Sequence, residues 1–177
     1  MGYAISWLAV RGSSEPAVLA ALGLQKTGET EEIPKTDWCS THVGDWILIW
    51  SNSFEPLRFI DAAAKLKGEA VICDVEEHVM FTSATAFSGG APSWRIIHDA
   101  QQAYDHLTVV GKPPESLIRI QAEEFARAKE DRGVDFVFEI PIRMAQETVG
   151  FRHDANLGIV FDKLRVISKP NPWWRFW

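Results

Sequence analysis

The sequence predicts an α+β fold: a single domain with a mixed or mainly antiparallel sheet and helices chiefly on one face. Three observations lead there. Strand-like and helix-like segments alternate along the chain. The stretch 70–99 carries the clearest strand pattern and folds back at Gly89-Gly90, a pair that supplies the positive φ angles of a tight reversal. Three apolar stretches run directly into a helix opened by proline. At 177 residues and 46% hydrophobic, the chain can bury roughly 70% of its unfolded surface, so folding needs no disulfide or metal.

Residues 3–10 are apolar at both alternating sets of positions, Tyr3, Ile5, Trp7 and Ala9 against Ala4, Leu8 and Val10. A strand buried on both faces needs this pattern. Ser14-Glu15-Pro16, the stripe Val18, Leu19 and Leu22, and the stop Gly23 give a short helix. The polar stretch 25–45 reads as a long loop, either functional or partly disordered. Residues 46–50 repeat the strand pattern, and Ser53-Phe54-Glu55-Pro56 opens a helix carrying Phe59, Ile60, Ala63 and Leu66, closed by Gly68. The likeness of these two units has two accounts, a duplicated unit or the shared needs of strand, cap and first-turn proline, and the second suffices without the first.

Residues 70–87 and 93–99 read as the two arms of a long hairpin. A short strand follows at 106–110. Residues 115–132 form an amphipathic helix with Leu117, Ile118, Ile120, Phe125 and Ala128 inward and Glu123, Glu124, Arg127 and Glu130 outward in water. A third strand-to-helix unit runs from 136–140 through Pro141 to Val149 and Gly150, and the last strand lies at 158–167. The chain thus divides into one globular α+β domain over 1–168 and a Trp-rich tail over 169–177.

With 18 Lys+Arg against 24 Asp+Glu, the formal charge is −6. An acidic chain does not coat double-stranded nucleic acid. Two cysteines, Cys39 and Cys73, make neither a disulfide framework nor a thiolate zinc site and point to a reducing compartment. No apolar run approaches the roughly 20 residues of a membrane helix. The start lacks the charge and cleavage site of a signal peptide, and although Gly2 and Ser6 fit the loose myristoylation pattern, they read better as part of a strand. A cytoplasmic protein without membrane contact is expected.

The densest polar cluster is Cys73-Asp74-Val75-Glu76-Glu77-His78. Strand alternation puts Asp74, Glu76 and His78 on one face, where His98 and Asp99 of the partner strand can join them. Carboxylates with imidazole suit a divalent metal or general acid-base chemistry. A strand with one solvated face has the same pattern. No metal motif and no phosphate-cradling glycine loop is present, so neither metal nor cofactor is expected. In Gly150-Phe151-Arg152-His153-Asp154, Arg152 can bind an anion and Asp154 can fix the tautomer of His153. The competing account makes Arg152 and His153 partners of the helix's last carbonyls. Trp173, Trp174 and Trp177 suit a partner surface, or fold back into a groove of their own domain.

Four stretches carry a resemblance: Ser6-Trp7-Leu8-Ala9-Val10-Arg11-Gly12; Leu22-Gly23-Leu24 with Thr27-Gly28-Glu29; Glu76-Glu77-His78-Val79-Met80; and Gly150-Phe151-Arg152-His153-Asp154. With them the chain resembles a family of uncharacterised bacterial proteins. The resemblance implies a bacterial cytoplasmic origin and brings no activity, cofactor or catalytic residue.

Two functional readings compete. The first is a non-catalytic protein-binding domain of the immunity or inhibitor type, by analogy of size and charge. It presents Glu29, Glu31, Glu32 and Asp37 of the long loop, with Asp74 and Glu76, to a basic protein. The second is a small enzyme or ligand-binding domain in which His78, His98, His153 and acids such as Glu76 meet in one pocket. A membrane-surface role for the tail is a third, weaker idea.

Overall fold

In the computed structural model, which describes residues 2–155 and 158–167, the double apolar pattern of β1 (Ala4–Arg11) places it fifth in a nine-stranded sheet. From β1 the chain passes through α1 (Glu15–Leu22) to β2 (Leu24–Glu31) at one edge, then returns through β3 (Trp38–Val43) to β4 (Trp46–Ser51) beside β1. Helix α2 (Pro56–Ala63) leads to β5 (Glu69–Glu76) on the other side of β1. A meander through β6 (Phe81–Ser88) and β7 (Ala91–Asp99) reaches β8 (Thr108–Gly111) at the far edge. Helices α3 (Ser116–Glu130) and α4 (Glu139–Val149) carry the chain back, and β9 (Phe161–Val166) inserts between β2 and β3. Every neighbouring pair is antiparallel.

The helices occupy both faces, which corrects the expectation of one. Leu8, Val10, Ile49 and Ile72 pack with Val18 and Leu22 of α1 and Phe59 and Ala62 of α2. The alternate residues Trp7, Ala9, Trp50 and Cys73 pack with Ile120 of α3 and Ile140 and Met144 of α4. A strand apolar on both sides requires cover on both sides, and β1 and β4 receive it. No helix among the described residues is long and apolar enough to cross a membrane.

Three other expectations change. The supposed loop 25–45 contains β2 and β3; β2 is an edge strand exposed along most of its length, so it lacks the alternation that marks a strand with a buried face. The arm 70–87 is two strands, because Glu77-His78-Val79-Met80 is a turn, with Met80 at φ 52. Residues 136–140 are no strand: Asp135 Oδ1 accepts from Phe138 N at 3.2 Å, and α4 starts at Glu139. On α3, Ile118 is 73% exposed while Glu124 is fully buried, so the inward stripe is Leu117, Ile120 and Glu124. The Trp-rich tail, with Trp173, Trp174 and Trp177, lies outside the described residues.

Candidate functional site

Gly150 ends α4 in the left-handed conformation, at φ 81. The reversal drives Phe151 into the core, edge-on to Trp7 at 5.4 Å and Trp50 at 6.2 Å between ring centroids. His153 then lies edge-on to Tyr3, centroids 4.9 Å apart. On the other side, the β2–β3 loop is tied down by Glu31, whose Oε1 accepts from Thr36 Oγ1 (2.7 Å), Lys35 N (3.0 Å) and Thr36 N (3.2 Å). Desolvation pushes the Glu31 carboxyl up, but these hydrogen bonds outweigh it and hold it below its ordinary value. Asn52 Oδ1 accepts from Trp50 Nε1, while its Nδ2 donates to the carbonyls of Pro34 and Thr36. The loop is thereby pinned to an aromatic residue of the central sheet.

Between these segments lies a cavity of about 290 Å³ whose walls include the rings of Tyr3, Trp50, Phe151, His153 and Phe161. Among the described residues its charged lining consists of Glu32 and Asp154, with no lysine or arginine. Burial holds the His153 imidazole below its ordinary pKa, against the opposing pull of Asp154. The buried Nδ1 of His153 has no hydrogen-bond partner among the described residues.

A larger cleft, about 740 Å³, opens between α3 and α4 and is lined by charged groups that already satisfy one another. Glu124 binds Arg127 and Arg143, Glu123 binds Arg119 and Arg143, and Glu139 binds Arg152. Asp135 meets His98. A charged ligand there competes with partners that these side chains already have, so size alone does not make the cleft the better site. The charges of Glu123, Glu124 and Arg127 assign them to water in the sequence; the position of Glu124 in line with Leu117 and Ile120 on α3 is the signal that it is buried.

The nominated histidines do not meet. His78 sits on the β5–β6 turn, 65% exposed, its Nδ1 2.7 Å from Glu76 Oε1. His98 is buried on the face toward α4, with Nδ1 at 2.8 Å from the His106 carbonyl and Nε2 at 2.9 Å from Asp135, so both ring nitrogens are engaged. His153 belongs to the aromatic cavity, whereas His78 lines a different one with Glu77 and Glu139.

Asp74 lies on the opposite face from His98 and is sealed, accepting from Ser6 Oγ (2.7 Å) and Ser83 Oγ (2.8 Å). It is therefore not a surface acid for a partner. Burial raises its pKa against those two hydrogen bonds. The expected cluster of Asp74, Glu76, His78 and His98 does not form, because the two β5 acids and His98 are on different sides of the sheet.

In the 151–154 segment, Arg152 pairs with Glu139 at 2.8 Å and with Asp154 at 2.5 Å. Asp154 thus orients Arg152 and not His153, and its carboxyl is held low by the guanidinium. Arg152 is held charged by the Asp154 hydrogen bond and is not a free anion receptor. Glu29 pairs with Lys163 at 3.0 Å, and Glu31 is consumed by its own loop. Glu32 and Asp37 remain exposed, without an ion pair among the described residues. Sequence reading missed Tyr3, Trp50, Phe151 and Phe161 as cavity walls, since aromatic residues on strands look like core.

No group of histidine, cysteine and carboxylate side chains suited to hold a metal occurs among the described residues. Comparison with family models, with curated proteins and with solved structures yields no match. No activity or ligand comes to the chain by similarity.

Proposed function

We propose that the chain is a non-catalytic binding domain, of the immunity or inhibitor type, that receives a basic protein partner on the face made by the β2–β3 loop and residues 151–155. One observation carries the reading: among the described residues the aromatic cavity on this face has Glu32, which has no ion pair there, and Asp154, shared with Arg152, in its lining and no cationic side chain, in a chain of charge −6. The exposed Asp37 of the same loop extends the negative field beyond the cavity. Apolar walls with an acidic rim suit a partner contact in which burial supplies affinity and charge supplies selection. A bacterial cytoplasmic setting, and a folded unit over 1–168 with a short appended segment over 169–177, belong to the same proposal.

The test is fluorescence anisotropy of a labelled lysine-rich peptide titrated with the full chain at low and high salt. Binding that weakens steeply with salt, and weakens further in the Glu32→Gln, Asp37→Asn double variant, is expected. Absence of binding at low salt, or binding indifferent to both salt and the two substitutions, overturns the proposal.

A further inference from the structure

We infer that the aromatic cavity admits one lysine side chain of the partner, its aliphatic stem lying among the rings and its ammonium meeting Glu32 and Asp154. This rests on the reading of the chain as a receptor for a basic protein and names the group that is recognised.

The cavity's size fits a single inserted group. About 290 Å³ lies at the lower end of ligand pockets, which run from roughly 300 Å³ upward. Its walls are suited to a chain that is apolar along its length and charged at its tip. Trp50, Phe151 and Phe161 are each no more than 5% exposed and form the inner wall. Tyr3, at 40% exposed, and Ile33, at 64%, stand at the opening. Aromatic faces are negative and attract cations, and methylene groups pack against them as well. An anionic or plain aromatic ligand gains nothing from the two carboxylates.

The third wall agrees. Burial lowers the His153 pKa, so at pH 7 its imidazole is neutral and does not repel an ammonium. Arg152, which precedes His153 in the chain, is bound to Asp154 and Glu139 on both sides of its guanidinium, and neither it nor Lys35, which follows Pro34, lines the cavity.

Geometry favours lysine over arginine. Asp154 already accepts from Arg152 at both oxygens, Nε at 2.5 Å and one terminal nitrogen at 3.0 Å, which leaves no open fork for a second guanidinium. Glu32 approaches from a different segment. A compact ammonium can use a single remaining lone pair of a carboxylate, whereas a planar guanidinium binds best to one free carboxylate facing it.

The experiment titrates the full chain with acetyl-Gly-Lys-Gly-amide while NMR shifts at Tyr3 and His153 are followed. The norleucine peptide keeps the stem and removes the ammonium; the glutamate peptide reverses the charge. Saturable shifts with the lysine peptide are expected, with affinity at least about five-fold lower for norleucine, since the cation–π contact alone is of that size and the carboxylate contacts are lost with it, and none for glutamate. Tyr3→Leu and Glu32→Gln, both at exposed positions, should each weaken the lysine peptide several-fold while leaving the remaining spectrum folded.

Norleucine binding as tightly as lysine overturns the inference, as does an arginine peptide binding more tightly, or a lysine peptide that leaves Tyr3 and His153 unmoved. If the long lysine-rich peptide binds and these two residues do not shift, the cavity assignment fails while the acidic-face reading stands. If the short lysine peptide shifts them and the long peptide does not bind, the protein-partner reading fails instead.

Discussion

Ser6 donates its hydroxyl to Asp74 at 2.7 Å and accepts, on the same oxygen, the backbone N–H of Glu55 at 3.0 Å. The buried carboxylate thus reaches across β5 and β1 to the residue that precedes α2. Desolvation raises the Asp74 pKa above the unfolded value. Between the unfolded and folded pKa values the native state keeps a proton that the unfolded chain loses. This contribution is therefore complete at low pH and lost as pH rises through the folded pKa. Asp74→Asn can keep both serine contacts without a buried charge. It should be more stable than the native sequence at neutral pH in urea titrations, with the difference shrinking in acid. Asp74→Ala, which orphans two hydroxyls, should cost about 2 kcal/mol.

Glu124 is the second buried carboxylate whose role depends on its partners. Its side chain is fully buried, while Arg143 is 24% and Arg127 54% exposed. Removing the acid leaves Arg143 without its inward partner, and half of the Arg127 contact is already screened by water. Glu124→Ala should cost about 2 kcal/mol, below the full penalty of a broken buried pair. Arg119→Ala, at a half-exposed site on the same helix, should leave the urea midpoint nearly unchanged. A larger effect at Arg119 than at Glu124 contradicts this ordering.

These two residues also mark how far the sequence could be read. The strand β1, the helix signals at Pro16, Pro56 and Gly150, and the Gly89-Gly90 reversal were legible because each depends on neighbours within a few positions. The face on which α3 and α4 pack was not written locally, although apolar residues on both sides of β1 required cover on both. Glu124 was assigned to water by its charge, since nothing in its own helix announces Arg143, which lies on α4. The edge strand β2 was missed because polar residues on both faces look like a loop. The aromatic cavity was invisible for the opposite reason: Trp50 and Phe161 are core-like in sequence, and only the packing of segment 151–155 beside the β2–β3 loop turns them into walls.

His153 should make the fold acid-sensitive. Burial lowers its native pKa from 6.5, an effect that Arg152 reinforces and Asp154, Glu139 and Glu77 oppose; Tyr3 covers one edge of the ring. As pH falls, the unfolded chain takes up this proton first, so the contribution is complete above 6.5 and lost as pH drops from there toward the native pKa. Urea midpoints between pH 7 and pH 5 should therefore fall less for His153→Gln than for the native sequence. Equal slopes would show that the imidazole titrates in the fold as it does in the unfolded chain.

Cys39 and Cys73 occupy one row of the sheet, joined through Trp50 and Trp7: Cys39 pairs with Trp50, Trp50 with Trp7, and Trp7 with Cys73. Three strand spacings separate the cysteines by about 14 Å, twice the reach of a disulfide. Burial pushes both thiols above their ordinary pKa, with Glu31 adding to the effect at Cys39 and Asp74 at Cys73. The thiolate is the reactive species, so neither residue should react with a thiol reagent while the sheet is intact. The rate of modification should follow unfolding as urea is added, both thiols reacting together because both lie in the strands around β1. Rapid stoichiometric labelling of the native chain would mean that this row opens without global unfolding, and that the two tryptophans do not keep water from the sulfurs.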